Sequence, residues 1–187
     1  MGKGAKEIKK KIETPTSILE KRLEDARTRI EGLQLLLRIF FLGLAVWSLF
    51  TFVFLLTQVK GQTMFPTLKD GDLMMAFRLQ KEYSKGDIAV CKIDGNYYVG
   101  RVAAVATDIV TMDDTGTLTV NGTVQGGEIL YPTYAKGKLQ YPYRVPEGHL
   151  FLLGDYRTEA LDSREFGPVS MQDVKGKVIT ILRRREL

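Results

Sequence analysis

The residue with the clearest chemical potential is Thr63, which lies in the segment GQTMFPTLKDGD, residues 61–72. A hydroxyl is a poor nucleophile at neutral pH unless a nearby base accepts its proton. Compared with serine, threonine carries an additional methyl group, which restricts the rotamers of the side chain and crowds the path by which its hydroxyl would attack. Three lysines are candidate bases by their proximity in sequence: Lys60, Lys69 and Lys92. Thr63 is therefore either a working nucleophile or the remnant of one.

Metal and redox chemistry find no support in the sequence. Cys91 is the only cysteine, so no intramolecular disulfide can form, and no CxxC or His/Cys cluster has the spacing of a metal site. The only histidine, His149, is interpreted as a structural or surface residue. We expect no metal and no cofactor, and stability must come from packing.

The net charge of +5 is unevenly distributed. Residues 1–38 carry ten Lys/Arg against six Asp/Glu, whereas residues 58–187 carry seventeen against sixteen. A basic excess that lies mainly on one flank of an apolar segment is typical of membrane orientation rather than of nucleic-acid binding. We therefore expect no nucleic-acid partner.

The apolar segment that follows is IFFLGLAVWSLFTFVFLLT, residues 39–57, which contains no charged residue. Its nineteen residues approach the roughly 20 needed to cross a bilayer as a helix. A cleaved signal peptide is the alternative, but nearly forty residues precede the segment and no Ala-x-Ala site follows it. The sequence predicts a single uncleaved span in the cell membrane, with the N-terminus in the cytoplasm and the C-terminal domain outside.

The segment before the span has a helical pattern. Apolar residues recur with the spacing 4-3-4-3-4 at Leu19, Leu23, Ala26, Ile30, Leu33 and Leu37. This spacing fits a coiled-coil seam, which would allow self-association through residues 17–38. It fits equally an amphipathic helix on the lipid surface, because fewer than three heptads are present. We therefore treat residues 1–38 as a cytoplasmic, basic helical segment.

From residue 58 the pattern changes to short β-branched or alternating runs separated by turn signals. The predicted strands lie in DLMMAF, DIAVCKI, NYYVGRVAAV, DIVTM, GTLTVNG, HLFLLGD and KVITILR. Asp-Gly, Asn-Gly and Gly-Asp pairs punctuate them at hairpin distances. Residues 58–187 are therefore expected to form a mainly β, extracytoplasmic domain.

Four segments in order resemble the type I signal peptidases, the membrane-anchored serine proteases that remove signal peptides. They are GQTMFPTLKDGD (61–72), GDIAV (86–90), YYVGRVAAVATD (97–108) and GDYRTEALDSREFG (154–167). The resemblance covers about residues 38–185 and depends on the set of four, since each alone is weak. It implies two connected antiparallel sheets or partial barrels.

The resemblance also implies where the catalytic residues of the family would stand. Thr63 occupies the position of the nucleophilic serine, and Gly100 that of the lysine general base. Ala160 replaces a serine that helps to hold the lysine. Glycine offers no proton acceptor, and general-base assistance is typically worth 10²–10⁴-fold in rate. The catalytic dyad is therefore expected to be broken.

The family's framework, by contrast, is retained. The residues that the resemblance assigns to the partner or substrate cleft are Gly61, Gln62, Met64 and Pro66, and those it assigns to bracing the fold are Arg101, Asp155, Arg157, Asp162 and Arg164. A changed function explains this division better than random decay. An extended segment that binds by strand addition gains affinity from main-chain hydrogen bonds, which need no nucleophile.

Gly100 links the chain to a subgroup of signal-peptidase-like proteins that accompany the pilus genes of some Gram-positive bacteria. The resemblance implies an inactive assembly factor for sortase-dependent pilus polymerisation, with pilin subunits or the sortase as partners. An alternative is an active signal peptidase that uses Thr63 with a displaced base. A third hypothesis is a scaffold that acts through the 17–38 helix.

Overall fold

The computed structural model describes residues 15–126 and 130–183. The chain divides into two units, the first ending at Trp47 and the second beginning at Ser48. A single helix, α1, runs from Pro15 to Phe52. It begins at a proline, whose fixed φ suits the first position of a helix. By length and composition it is long and apolar enough to cross a membrane.

The helix ends earlier than the sequence predicts. Strand β1, Phe54–Gln58, occupies the last residues of the predicted 39–57 span and pairs with the strand that follows it. The apolar run contains no charge or breaker that would separate a helix from a buried strand, so hydropathy alone places the boundary too late. The division into a cytoplasmic segment, a span and an outer domain stays a prediction.

Ten further strands and one short helix follow β1 within the described ranges. They are β2 Leu73–Phe77, β3 Ile88–Ile93, β4 Asn96–Ala104, β5 Ile109–Met112, β6 Leu118–Val120, β7 Thr123–Val124, β8 Tyr143–Arg144, β9 His149–Leu153, α2 Ser163–Phe166, β10 Val169–Ser170 and β11 Val174–Leu182. Each run predicted to hold a strand contains one. The strands β1, β7, β8 and β10 and the helix α2 were not predicted.

The strands form two antiparallel sheets. Seven strands make the larger sheet in the order β1-β2-β11-β3-β4-β9-β10, and four make the smaller one in the order β7-β6-β5-β8. The expected mainly β domain with two antiparallel sheets is thus confirmed. The hairpin between β3 and β4 turns through Asp94 and Gly95, whose φ values of 48° and 84° are those of a type I′ turn.

One apolar cluster of the larger sheet supports the segment that holds Thr63. Met64 and Leu68 are fully buried and pack with Val59 and Met74. Met74 belongs to β2, where Met74 and Ala76 are buried while their neighbours are half-buried, as expected for a strand with one face toward a core. The Thr63 segment is therefore anchored on the sheet and is not a free surface loop.

Candidate functional site

The segment that carries Thr63 is fixed at both ends. The N–H of Gly61 donates to Asp70 Oδ1 at 2.7 Å, and the N–H of Leu68 donates to the carbonyl of Met64 at 2.9 Å. Gly61 has a φ of +79°, which glycine adopts without strain. These contacts close the segment on itself, so that Thr63 is presented at a defined position.

The backbone of Thr63 is held against the loop that follows β9. Its carbonyl accepts a hydrogen bond of 3.0 Å from the N–H of Tyr156. A Cβ on Gly154 would lie 2.6 Å from the same carbonyl oxygen and 2.3 Å from the Ala160 Cβ. Glycine at position 154 therefore lets Thr63 and Ala160 approach the same backbone.

Gly100 lies on β4, beside this contact. Arg101 pairs with Leu153 across β4 and β9, so Gly100 precedes one member of this pair and Gly154 follows the other. Of the three positions at which the chain departs from the family pattern, Thr63 and Ala160 approach Gly154, and Gly100 lies one residue before the β4–β9 pairing. A Cβ on Gly100 would lie 3.0 Å from the Leu152 Cβ, a tighter approach than ordinary packing allows.

No hydrogen bond involves the Thr63 hydroxyl within the described residues. Of the three lysines proposed as substitute bases, Lys60 lines the same cleft as Thr63. Lys69 lines a different depression, together with Gln62. The Lys92 ammonium lies 5.5 Å from the centre of the Tyr97 ring, a cation–π contact on exposed side chains. Lys60 is therefore the candidate that shares a cavity with Thr63.

An ion pair connects the Thr63 segment to the two neighbouring motifs. Arg101 Nε and Nη2 donate to the two carboxylate oxygens of Asp155, at 2.8 and 2.6 Å. Thr67 donates its hydroxyl to Asp155 Oδ2 and accepts from Arg101 Nη2 at 3.1 Å. Arg101 Nη1 also donates to the carbonyl of Gly86 at 2.9 Å. All four motif segments therefore contribute to one bonded network.

A second ion pair is almost fully enclosed. Arg164 Nε and Nη2 donate to the two oxygens of Asp162 at 2.8 and 2.7 Å, and the side chains are 0% and 3% exposed. Asp162 also caps α2, since its Oδ1 accepts from the N–H of Arg164, and its Oδ2 accepts from the N–H of Gly154. This pair fixes the loop between β9 and α2 that carries Ala160.

The residues predicted to line the cleft, and Ala160, differ in their burial. Met64 and Ala160 are fully buried, Gln62 is exposed and Pro66 is half-buried. Sequence reasoning missed two features of the site. Thr67 completes the Arg101–Asp155 network, and Tyr131 packs on Tyr156 with ring centres 4.6 Å apart. Thr67 lies in one of the four motif segments, and Tyr131 lies in the segment 131–148, which contains four tyrosines. Neither fact reveals contacts between distant residues.

Thr63 opens onto a cleft of about 490 Å³. Its walls include Thr63, Lys60, Leu161 and the β4 residues Asn96, Tyr97 and Val99. Strand β9 pairs with β4 only from Arg101 onward, so among the described strands the segment 96–100 has a neighbour, β3, on one side only. This open edge can accept an extended chain as an additional antiparallel or parallel strand.

Comparisons with known proteins identify the family of this chain. The family described as "Signal peptidase, peptidase S26" matches residues 32–182. The chain is 33% identical over 149 residues to signal peptidase I of Bacillus caldolyticus, covering 71% of this chain and 81% of that protein. It is 30% identical over 138 residues to signal peptidase I of Bacillus licheniformis, covering 63% and 70%. This chain therefore belongs to the signal peptidase family.

Two further matches differ in how much of the other protein they cover. The chain is 30% identical to the probable thylakoidal processing peptidase 2 of Arabidopsis thaliana over 136 residues, which span 65% of this chain but only 36% of that protein. A signal peptidase I structure from Enterococcus faecalis aligns with a TM-score of 0.43 at 27% identity, covering 54% of this chain and 98% of that one.

Proposed function

We propose that this protein is a signal peptidase homologue without peptidase activity, which binds an extended segment of a partner protein in the Thr63 cleft. The observation that carries the proposal is Gly100. It supplies no proton acceptor where the family resemblance puts the general base, and Leu152 crowds the space that a side chain would enter. Loss of the base alone is expected to reduce the rate by 10²–10⁴-fold.

The retained framework supports a binding function. The network of Arg101, Asp155 and Thr67 keeps the Thr63 segment in position although Gly100 stands where the resemblance puts the lysine. The open edge at residues 96–100 offers main-chain donors and acceptors to an extended peptide. Binding at this edge requires neither a nucleophile nor a base.

The partner that we propose is a pilin subunit or the sortase that joins pilins, outside the cell membrane of a Gram-positive bacterium. The chain would be anchored by α1, with its N-terminus in the cytoplasm. Support comes from the resemblance of Gly100 to the pilus-associated subgroup and from the positive flank of the apolar segment. The Bacillus relatives are named as signal peptidases, so the assignment depends on this chain's own departures from the family pattern.

A first experiment tests catalysis. The full chain in lipid nanodiscs is incubated with a signal-peptide-bearing preprotein, beside Thr63→Ser/Gly100→Lys and the exposed-site control Thr115→Ser. We expect no cleavage by the native protein or by the control. A further variant, Thr63→Ala, removes the hydroxyl. If the native protein cleaves the preprotein and Thr63→Ala does not, the proposal is overturned.

A second experiment tests the partner. A photo-crosslinker at Tyr97, on the open edge, is compared with one at Tyr134, which is 46% exposed but does not line the cleft. Purified pilin and sortase from one host are the probes. We expect crosslinks to one of them from position 97 alone, and equal or absent crosslinking at both positions counts against the cleft as the binding site.

The second candidate function is an active signal peptidase that uses Thr63 with a displaced base. It is favoured by one observation, the presence of Lys60 in the same cleft. This function predicts that the native protein cleaves a preprotein, and that Thr63→Ala and Lys60→Met each abolish cleavage. Retained cleavage in Lys60→Met would exclude that lysine as the base.

A further inference from the structure

Arg157 is a buried charge that the proposed function leaves unused. It is 2% exposed, yet its guanidinium makes one hydrogen bond in the described part of the chain, from Nη1 to Thr133 Oγ1 at 2.9 Å. Its Nε is buried and has no acceptor there. A guanidinium has five N–H donors, and buried charges are normally paired or fully hydrogen-bonded. The surroundings of Arg157 are therefore incomplete.

The neighbouring carboxylates do not supply the missing partner. Asp155 is held at both oxygens by Arg101, and Asp162 is held at both oxygens by Arg164. Together with Arg157 these residues make a cluster of three guanidinium groups and two carboxylates, which carries one uncompensated positive charge. A largely buried cluster with this charge balance favours an anion.

Arg157 lines a pocket of about 330 Å³ in the second unit of the chain. The other walls include Lys85, Arg101, Asp155, Leu118 and Gln125. Lys85 stands at the rim, where its side chain is 41% exposed and pairs with Asp108 at 3.1 Å. The volume admits a carboxylate or a phosphate group, and both accept hydrogen bonds from the fork of an arginine.

We propose that this pocket binds a small oxyanion, a carboxylate or a phosphate, on Arg157. The ligand is either the acidic side chain of a bound peptide or a free inorganic ion. The pocket shares Arg101 and Asp155 with the network that holds Thr67, so an anion there would steady the segment that presents Thr63. The proposal does not depend on whether the protein cleaves peptides.

The electrostatics of Arg157 agree with the pocket geometry. Burial lowers the pKa of its guanidinium to about 10, and the nearby Arg164 and Arg101 add to the lowering, while Asp155 and Asp162 oppose it. An anion in the pocket would favour the charged form of Arg157. Binding of an anion is thus expected to compensate the positive charge of Arg157, which the described residues compensate poorly.

The test measures thermal unfolding of the full chain in nanodiscs at constant ionic strength, with sodium phosphate or sodium chloride. A ligand at tenfold excess over its Kd is expected to raise the Tm by about 3–6 °C for a chain of this size. N-acetylglutamate α-amide probes the side-chain source, with N-acetylglutamine α-amide as its uncharged control. Tighter binding of phosphate supports a free ion, and tighter binding of the glutamate probe supports a peptide side chain.

Two variants show whether the response belongs to this pocket. Gln125→Glu places a carboxylate on its wall, and we expect it to raise the Tm in chloride and to abolish the response to both probes. The matched control is Gln172→Glu, at an exposed glutamine outside the pocket, which is expected to keep the response. A response that persists in Gln125→Glu overturns the assignment.

Two further outcomes contradict the proposal. The first is an equal Tm in phosphate, in the glutamate probe and in chloride for the native protein. The second is a response that appears only after Glu128→Gln, a change three positions after Gln125 in the sequence and outside the described residues. In that case the missing counter-charge would come from the chain itself. A native response that is unchanged by Glu128→Gln supports a bound ligand.

Discussion

Arg101 and Asp155 form a two-point ion pair that joins β4 to the loop after β9, and Thr67 hydrogen-bonds to both partners. The pair is part-buried, with the Arg101 side chain 25% and the Asp155 side chain 9% exposed. Through Thr67, the pair therefore fixes the Thr63 segment relative to β4.

The first prediction concerns this pair. Asp155→Asn removes a charge that holds Arg101 and Thr67, and it leaves a part-buried guanidinium without its carboxylate. We expect the free energy of unfolding to fall by about 2–3 kcal/mol, less than for a fully buried pair because solvent still reaches Arg101. Chemical denaturation of the second unit within the full chain measures it. The exposed-site control Asp114→Asn is expected to change stability by less than about 0.5 kcal/mol.

The second prediction concerns close backbone approach. Gly154→Ala places a Cβ within 2.6 Å of the Thr63 carbonyl oxygen and 2.3 Å of the Ala160 Cβ, so the protein must shift or unfold. We expect a loss of roughly 3 kcal/mol or more, at the upper end for overpacking. Gly126→Ala, with open space around it, serves as the control. Equal stabilities of the two variants would contradict the packing around Gly154.

The positions of these residues show what the sequence could and could not predict. The strand runs and the bracing residues Arg101 and Asp155 follow from hydrophobic pattern and motif. The hydrogen bonds of these two residues with Thr67 could not be predicted, because Thr67 is 88 positions from Asp155 along the chain. Likewise, the end of α1 at Phe52 depends on strand pairing with β2, which an uncharged apolar run does not reveal.

The third prediction concerns Cys91, the only cysteine in the chain. Burial, and then the nearby Asp173, raise the pKa of its thiol to about 12. We expect iodoacetamide to label native Cys91 at pH 8 at least about 100-fold more slowly than the unfolded chain, because the thiolate is the reactive form. An exposed cysteine, introduced as Thr115→Cys with Cys91→Ala, should react rapidly in the folded protein.

The same shift has a defined effect on stability. Since the folded protein favours the neutral thiol, the contribution of Cys91 is complete below pH 9 and falls as the pH rises from 9 toward 12. Cys91→Ala should remove this part of the pH dependence. An identical alkaline slope in the native chain and in the variant would show that other groups dominate.

The fourth prediction concerns self-association through residues 17–38. The apolar spacing puts Leu23 and Ile30 at a positions, so Arg22 and Arg27 occupy the g and following e positions that meet across a parallel dimer. Copies inserted in one direction must pair in parallel. Arg22→Glu replaces the two Arg–Arg repulsions across the dimer with two Glu–Arg attractions. We therefore expect about 5- to 10-fold stronger dimerisation, measured by single-molecule photobleaching in liposomes.

The control for this prediction is Arg29→Glu, which faces the uncharged Gln34 across the same dimer. It is expected to change dimerisation much less. If both variants strengthen dimerisation equally, a general reduction of positive charge is responsible and the heptad seam is wrong.

The open edge of β4 also sets a limit on length. The type I′ turn at Asp94 and Gly95 closes one end, and pairing with β9 closes the other at Arg101. Only residues 96–100 remain available, about 17 Å of strand at the usual rise per residue. Under the proposed function, the edge would therefore pair with only a short extended segment. It is also too short to recruit long strands from unfolded chains into aggregates.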